Sequence, residues 1–213
     1  MGGGKLLLLF ACLLVPASSV GGSLPNLESR LEHRATGGGQ AGSAAGVLRL
    51  RGGMRCVVQR VTSASVTVDG EVVAKIGPGL CVLVGLSVGD AETPEVSAWM
   101  AKKLLGLKFF GDEDQGKMWK KNLKDVDGEL LLVSQFTLYY RYKGTNLDFS
   151  KAMAPDAARV AFDDFVATCR KEHGDESKVQ TGVFGAMMEV ALVNDGPVTM
   201  NIEYPEPDGQ KKS

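Results

Sequence analysis

Histidine and cysteine, on which much hydrolytic and metal chemistry depends, are scarce in this chain. Of 213 residues only His33 and His173 are histidine, and only Cys12, Cys56, Cys81 and Cys169 are cysteine. The cysteines are widely spaced and form no C-x-x-C pair, which argues against a zinc site or a disulfide framework and fits a reducing compartment. Two histidines exclude a multi-histidine metal site within one chain. His173 lies in "RKEHGDES", the pattern of a solvated helix end, so a histidine-based triad is unsupported as well. A long apolar run is missing too: "LLLLFACLLV" at 6–15 is too short to span a bilayer.

A basic surplus is also lacking. The first 53 positions hold five basic and two acidic residues, so the remainder carries 19 basic against 23 acidic, a net charge of −4. A protein that grips long nucleic acid through its phosphates is normally basic, so an RNA partner would be touched over a small area or through a local patch. Lys117, Lys120, Lys121 and Lys124 form one such cluster, which also fits an ordinary solvated surface.

Residues 1–53 differ in character from the rest. Lys5, the short apolar run and "PASSVGG" give 1–22 the form of a secretory signal, and 23–53 is rich in Gly, Ala and Arg. We read 1–53 as a targeting or linker extension, 54–205 as one globular domain, and 206–213 as a flexible tail. The compartment expected is cytoplasmic or organellar, with plastid-type import one option.

From Met54 onward the pattern is that of an α+β domain. "RCVVQRVTSASVTVDGEVVAKI" is rich in β-branched residues and holds Asp69-Gly70 at its middle, predicting a hairpin. "LCVLVGLSV" reads as a strand buried on both faces. Thr93-Pro94 starts a helix with Val96, Met100, Lys103, Leu104 and Leu107 along one side. "DVDGE" turns the chain into "LLLVSQFTL", and a second helix begins near Pro155 with Phe162, Phe165, Val166 and Cys169 on one face. The last region, to Tyr204, predicts two strands broken at "NDGPVT". Together these predict a curved, largely antiparallel, barrel-like sheet with two helices packed outside it.

Two stretches carry polar residues where a strand should be apolar. Ser134, Gln135 and Thr137 follow four apolar residues in what should be a central strand, where an unpaired buried polar group costs on the order of 1–3 kcal/mol. Strand-end polarity and a functional role both fit. Asn194-Asp195-Gly196-Pro197 interrupts a strand pattern with residues that each favour turns, and a plain turn is one reading.

Four segments in this order, "MRCVVQRVTSASVTVDGE", "SQFTL" at 134–138, "QTGVFGAMMEV" at 180–190 and "NDGPVT" at 194–199, resemble the D-aminoacyl-tRNA deacylases over residues 54 to about 204. That resemblance implies a homodimer of barrel-like subunits. It implies hydrolysis of the ester joining a D-amino acid to the terminal adenosine of tRNA, and of glycine mischarged on alanine tRNA. No cofactor, metal or membrane is implied.

By the same resemblance Ser134, Gln135, Phe136 and Thr137 form the catalytic segment. Gly196-Pro197 would be a cis peptide reaching into the partner subunit's pocket, where its carbonyl oxygens exclude the side chain of an L-amino acid, with Asn194 beginning that motif. Phe184, Gly185, Ala186 and Met188 would hold the terminal adenine, although a core role also fits Phe184 and Met188. Phe149 would border the substrate, and Gln59 would support the site from behind. The loop before Phe149 departs from the family: Asn146-Leu147 stands where relatives carry Arg-Pro. With no usable histidine, backbone N–H groups of Phe136 and Thr137 would stabilise the oxyanion and the vicinal ribose hydroxyl would move the proton. The rival mechanism makes Thr137 the nucleophile. The alternative to an enzyme is a non-catalytic RNA-end or protein-binding domain of the same fold.

Overall fold

The computed structural model describes residues 53–88, 94–112 and 115–206. The expected targeting or linker extension up to residue 52, residues 207–213 of the expected flexible tail and Thr93 of the expected helix cap lie outside the described residues.

The β-branched opening forms strand β1 (Met54–Val68), and β2 (Glu71–Ile76) folds back on it. The turn between them puts Asp69 at φ 50 and Gly70 at φ 84, the two left-handed residues of a tight hairpin whose twist matches its strands. β3 (Gly79–Leu86) pairs with the first half of β1 on the same edge as β2, and β10 (Glu189–Tyr204) pairs with the opposite edge along nearly its whole length. All three pairings of β1 are antiparallel.

Helix α1 (Pro94–Gly106) then carries the chain over to β6 (Glu129–Ser134), which runs parallel to β3. Helix α2 (Pro155–His173) repeats the move and returns to β9 (Val179–Thr181), parallel to β6. The main sheet therefore has the order β10-β1-β3-β6-β9 with β2 on the outer part of β1. It is mixed rather than uniformly antiparallel, because a helix between two strands supplies the crossover that parallel neighbours need. Two small hairpins sit outside it: β4 (Phe110–Asp112) with β5 (Lys117–Lys121), and β7 (Arg141–Lys143) with β8 (Asn146–Asp148).

Strand alternation divides the core in two. On the helix side, Leu80, Val82 and Val84 of β3 and Leu130 and Leu132 of β6 pack with Met100 and Leu104 of α1 and Phe162, Phe165 and Cys169 of α2. Inside the curl of the sheet, Val61, Val66, Ile76, Cys81, Leu131 and Val133 form the second cluster. α2 buries the face expected for it. α1 differs slightly: Leu107 lies beyond its end and is exposed, while Ala101 and Leu105 complete its buried stripe. Lys103 uses its flexible stem to lie over the Trp99 ring, 5.0 Å away, and to reach Glu206 at 3.0 Å.

His173 ends α2 as expected, but it is half-buried rather than free in solvent: a ring nitrogen lies 3.1 Å from the Gly128 carbonyl. It ties the helix end to the loop entering β6. Among the described residues no helix is long and apolar enough to cross a membrane.

Candidate active site

The sheet places Ser134 at the carboxyl end of β6, and Gln135 turns the chain out of the sheet while its N–H still donates to Val84 O at 2.7 Å. A 3-10 turn, Phe136–Tyr139, follows at once. It rests on β3 at Gly85, where an added Cβ would stand 2.9 Å from Leu138 Cβ and 3.1 Å from Gln135 O. Only glycine allows that approach. The N–H groups of Phe136 and Thr137 lie in the first turn, where i→i+3 bonding offers no acceptor within the helix.

Gln135 Nε2 donates to Thr137 Oγ1 at 2.5 Å, so the two side chains form a closed pair. No ionisable side chain among the described residues is hydrogen-bonded to that hydroxyl. Phe136 is largely exposed at 58%, and its ring meets Phe149 edge-on at 5.2 Å. Phe149, which follows β8, is thereby brought against the 134–138 segment.

β9 carries the third motif to the same end of the sheet. Leu132 pairs with Thr181, Gly182 N donates to Leu132 O at 3.1 Å, and the turn at 183–186 follows. Gly185 is exposed and Ala186 half-buried there. Phe184 leans the other way, onto the helix side: its ring is 5.8 Å from Phe162 and lies under the Arg159 guanidinium at 4.9 Å. Met188 packs against the inner cluster. These two side chains therefore make core contacts, the second of the two roles open to them in the sequence.

"NDGPVT" is not a break between two strands. β10 runs through it without interruption, and the expectation of two strands is corrected. The ladder is continuous because the surplus is absorbed in a bulge: Gln59 pairs with Thr199 and Val61 with Asn194, leaving four residues of β10 opposite Arg60 alone. Asn194 closes the bulge, its Oδ1 accepting from Val198 N at 2.9 Å and its Nδ2 donating to Thr199 Oγ1 at 2.9 Å. Gly196 and Pro197 at its tip are exposed, and the bond between them is cis.

Arg60 is the residue of the bulge that sequence reasoning missed. Its side chain is buried beneath the bulge, donates from Nη1 to Phe109 O at 2.7 Å, and puts Nε 2.8 Å from Asp195 Oδ2. That last contact is an ion pair more than an aligned hydrogen bond, since Nε makes none of good geometry. A Cβ on Gly196 would stand 3.1 Å from Arg60 Nη2. The signal was available: Met54, Cys56, Val58 and Arg60 share the buried face of β1, and a charge at one of those alternate positions requires partners.

The bulge and the 134–138 segment stand at opposite ends of the sheet. Asn194 is level with Val61, Gly79 and Glu129, at the amino end of β6, whereas Ser134 at its carboxyl end is level with Val84, Cys56 and Ile202. With three strand spacings between β10 and β6, the two motifs lie roughly 15–20 Å apart in one chain. Gln59, beside Thr199 and Cys81, belongs to the bulge end of the sheet.

The model for the D-Tyr-tRNA(Tyr) deacylase family matches residues 57–203, well over half of the chain. The chain belongs to that family. Curated members include a D-aminoacyl-tRNA deacylase of Drosophila melanogaster, 47% identical over 72% of this chain and 94% of its own length. One from Chlorobaculum tepidum is 51% identical over 72% of this chain and 99% of its own length. Among solved structures, a c-Myc DNA unwinding element binding protein superposes with a TM-score of 0.67 at 44% identity, covering 71% of this chain and 99% of that one. A probable eukaryotic D-amino acid tRNA deacylase has the same fold, with a TM-score of 0.62 at 20% identity over 71% of this chain and 99% of its own. In the deacylase family's terms, the barrel-like mixed sheet with its two helices is the family fold.

Proposed function

We propose that this protein hydrolyses the ester between a D-amino acid and the 3′ end of tRNA, removing residues of the wrong hand before they reach protein synthesis, and that it does so as a homodimer. Glycine mischarged on alanine tRNA is a second substrate of the same site. The observation that carries the reading is the separation of the two motifs. A bulge that thrusts Gly196 and Pro197 outward, far from the catalytic segment of its own chain, has a use if it enters the site of a second copy.

In that site the terminal adenosine lies against the turn at Gly185-Ala186 and near Phe149, with Phe184 and Met188 holding the turn in place. The ester carbonyl faces the N–H groups of Phe136 and Thr137. Water attacks the carbonyl carbon, and its oxygen gains charge that those N–H groups stabilise. The C–O bond to the ribose breaks, and the proton lost by the water passes through the vicinal hydroxyl to the departing oxygen. Free amino acid and tRNA with an intact 3′ terminus result.

Ser134 ends the strand and Gln135 holds the Thr137 hydroxyl, so both act by positioning. The partner's bulge presents main-chain oxygens to one substituent on the substrate α-carbon. Hydrogen fits there and a side chain does not, so selection works by rejection and tolerates many D-side chains.

The test is ester loss from D-Tyr-tRNA and L-Tyr-tRNA with the purified domain. Rapid loss of the D-ester with the L-ester stable is expected. A D-ester that persists at micromolar protein would favour the non-catalytic RNA-end or protein-binding reading.

A further inference from the structure

Between the catalytic segment and Phe149 the chain makes a small, separate hairpin. β7 pairs Arg141 with Asp148, Tyr142 with Leu147 and Lys143 with Asn146 across a two-residue turn in which Gly144 has φ 63. Alternation sends Tyr140, Tyr142 and Leu147 to one face and Arg141, Lys143 and Asp148 to the other. Tyr142 is 73% exposed and Tyr140 44%. Their rings pack edge to face at 5.2 Å, and hydrogen bonding with the Tyr140 side chain pushes the Tyr142 phenol up from its ordinary value.

The opposite face is held by one carboxylate. Asp148 receives Lys143 Nζ at 2.7 Å and Arg141 Nη2 at 3.5 Å, and its Oδ1 accepts from Ser150 N at 2.8 Å. Lys143 and then Ser150 hold the Asp148 carboxyl well below the usual carboxylate range. Both cations stay largely exposed, and one local positive charge is left in a domain that is negative overall.

Tyr140, Tyr142 and Leu147 are all exposed, and side by side on one face they make an apolar patch of the kind that marks an interaction surface. The hairpin springs directly from the 3-10 turn at Tyr139, and its far end delivers Phe149 to Phe136. Tyr140 also walls an open cavity of about 270 Å³ that is bordered by Arg55, Asn201 and Glu203. Aromatic rings on one face of a short hairpin whose other face carries exposed, flexible cations, continuous with the site of ester hydrolysis, match the chemistry of unpaired RNA.

We propose that the β7–β8 hairpin is a stacking platform for the unpaired 3′ strand of the tRNA, its tyrosines taking the bases before the terminal adenosine and Arg141 and Lys143 their phosphates. The proposal rests on the function above for its substrate, and its test separates the two. Binding of a short single-stranded RNA ending in adenosine is measured by fluorescence anisotropy, independently of hydrolysis. Steady-state hydrolysis is measured on D-Tyr-tRNA and on the D-tyrosyl ester of adenosine alone, which lacks the preceding nucleotides.

Tyr142→Ala is expected to weaken RNA binding and raise KM for D-Tyr-tRNA by on the order of 10-fold. It should leave kcat, and both constants on the adenosine ester, unchanged. Tyr142→Phe, which keeps the ring, restores wild-type values, and Lys143→Ala reduces the salt dependence of RNA binding. Unaltered RNA binding by Tyr142→Ala overturns the proposal. So does an equal loss on both esters, or a shift in oligomeric state that assigns the tyrosines to a protein interface. Failure of wild-type protein to cleave either ester, with ring-dependent RNA binding intact, overturns the proposed hydrolysis and leaves the platform standing.

Discussion

Replacing Gly196 by alanine adds one carbon at the tip of the bulge, and the surroundings give it no room. Gly196 has φ 119, where L-residues rarely sit, and the new Cβ would stand 2.8 Å from Val198 Cγ2 and 3.1 Å from both Val198 N and Arg60 Nη2. Backbone held in such a region costs about 1–3 kcal/mol. The methyl of Val198 can rotate away, but its N–H is fixed by Asn194 Oδ1 and the guanidinium by Phe109 O. The bulge therefore yields before its supports do.

If all of that cost falls on the bulge, its native form drops about 5- to 150-fold relative to a relaxed one. The oxygens said to reject L-esters move with it, and a displaced tip also intrudes on the space that the D-ester must enter. We expect Gly196→Ala to lower kcat/KM for D-Tyr-tRNA by on the order of 10- to 100-fold. Because the tip is exposed at the sheet edge, the loss of global stability in urea should stay within about 3 kcal/mol. Wild-type turnover together with a wild-type D/L ratio would refute the reasoning.

Other expectations concern chemistry and stability. Phe136→Pro removes one backbone donor while proline's φ suits the first position of the turn; it should lose about 10²–10³ in kcat, whereas Phe136→Ala, which keeps the N–H, should lose much less. Thr137→Ala should keep near-normal turnover, and complete loss with the fold intact would instead favour the hydroxyl as nucleophile. Burial pushes the thiol of Cys81 up to about 11 and that of Cys169 to about 12, from an ordinary 9.0, and it raises Cys56 as well. The folded state thus holds these protons more tightly than the unfolded chain, so their contribution is complete below about pH 9 and is lost as pH rises through 11 to 12. Urea midpoints measured from pH 8 upward should fall past pH 9; thiolate absorbance from folded protein at pH 9 would contradict this.

Local chemistry was legible in the sequence wherever one stretch determined its own structure. Asp69-Gly70 specified its hairpin because few residue pairs accept two positive φ angles. The i, i+3, i+4, i+7 spacing of Phe162, Phe165, Val166 and Cys169 specified the buried face of α2. The polar residues of "SQFTL" fitted either a strand end or a functional segment, and they lie where β6 leaves the sheet.

What escaped depends on partners distant in sequence. Parallel pairing of β3 with β6 is set by the α1 crossover, although the all-apolar "LCVLVGLSV" and "ELLLV" carried the composition of doubly buried strands. The β7–β8 hairpin is three residues a side and polar at alternate positions, too short for periodicity to register. "NDGPVT" read as a break because its turn residues are strong, yet the ladder resumes at Thr199 once Asn194 has closed the bulge and Arg60 has anchored Asp195. The family resemblance supplied the cis bond and the candidate roles; that the bulge lies at the far end of the sheet from "SQFTL" emerged only from the register of four strands.

Mixing two crippled subunits tests the central claim most directly. Phe136→Pro spoils the catalytic segment and Gly196→Ala spoils the bulge, each in an otherwise intact chain. If each site joins the catalytic segment of one subunit to the bulge of the other, every mixed dimer holds one intact site. Random exchange should then restore about one quarter of wild-type D-Tyr-tRNA hydrolysis. Activity no greater than the mean of the separate variants, in a mixture shown to have exchanged subunits, would contradict it.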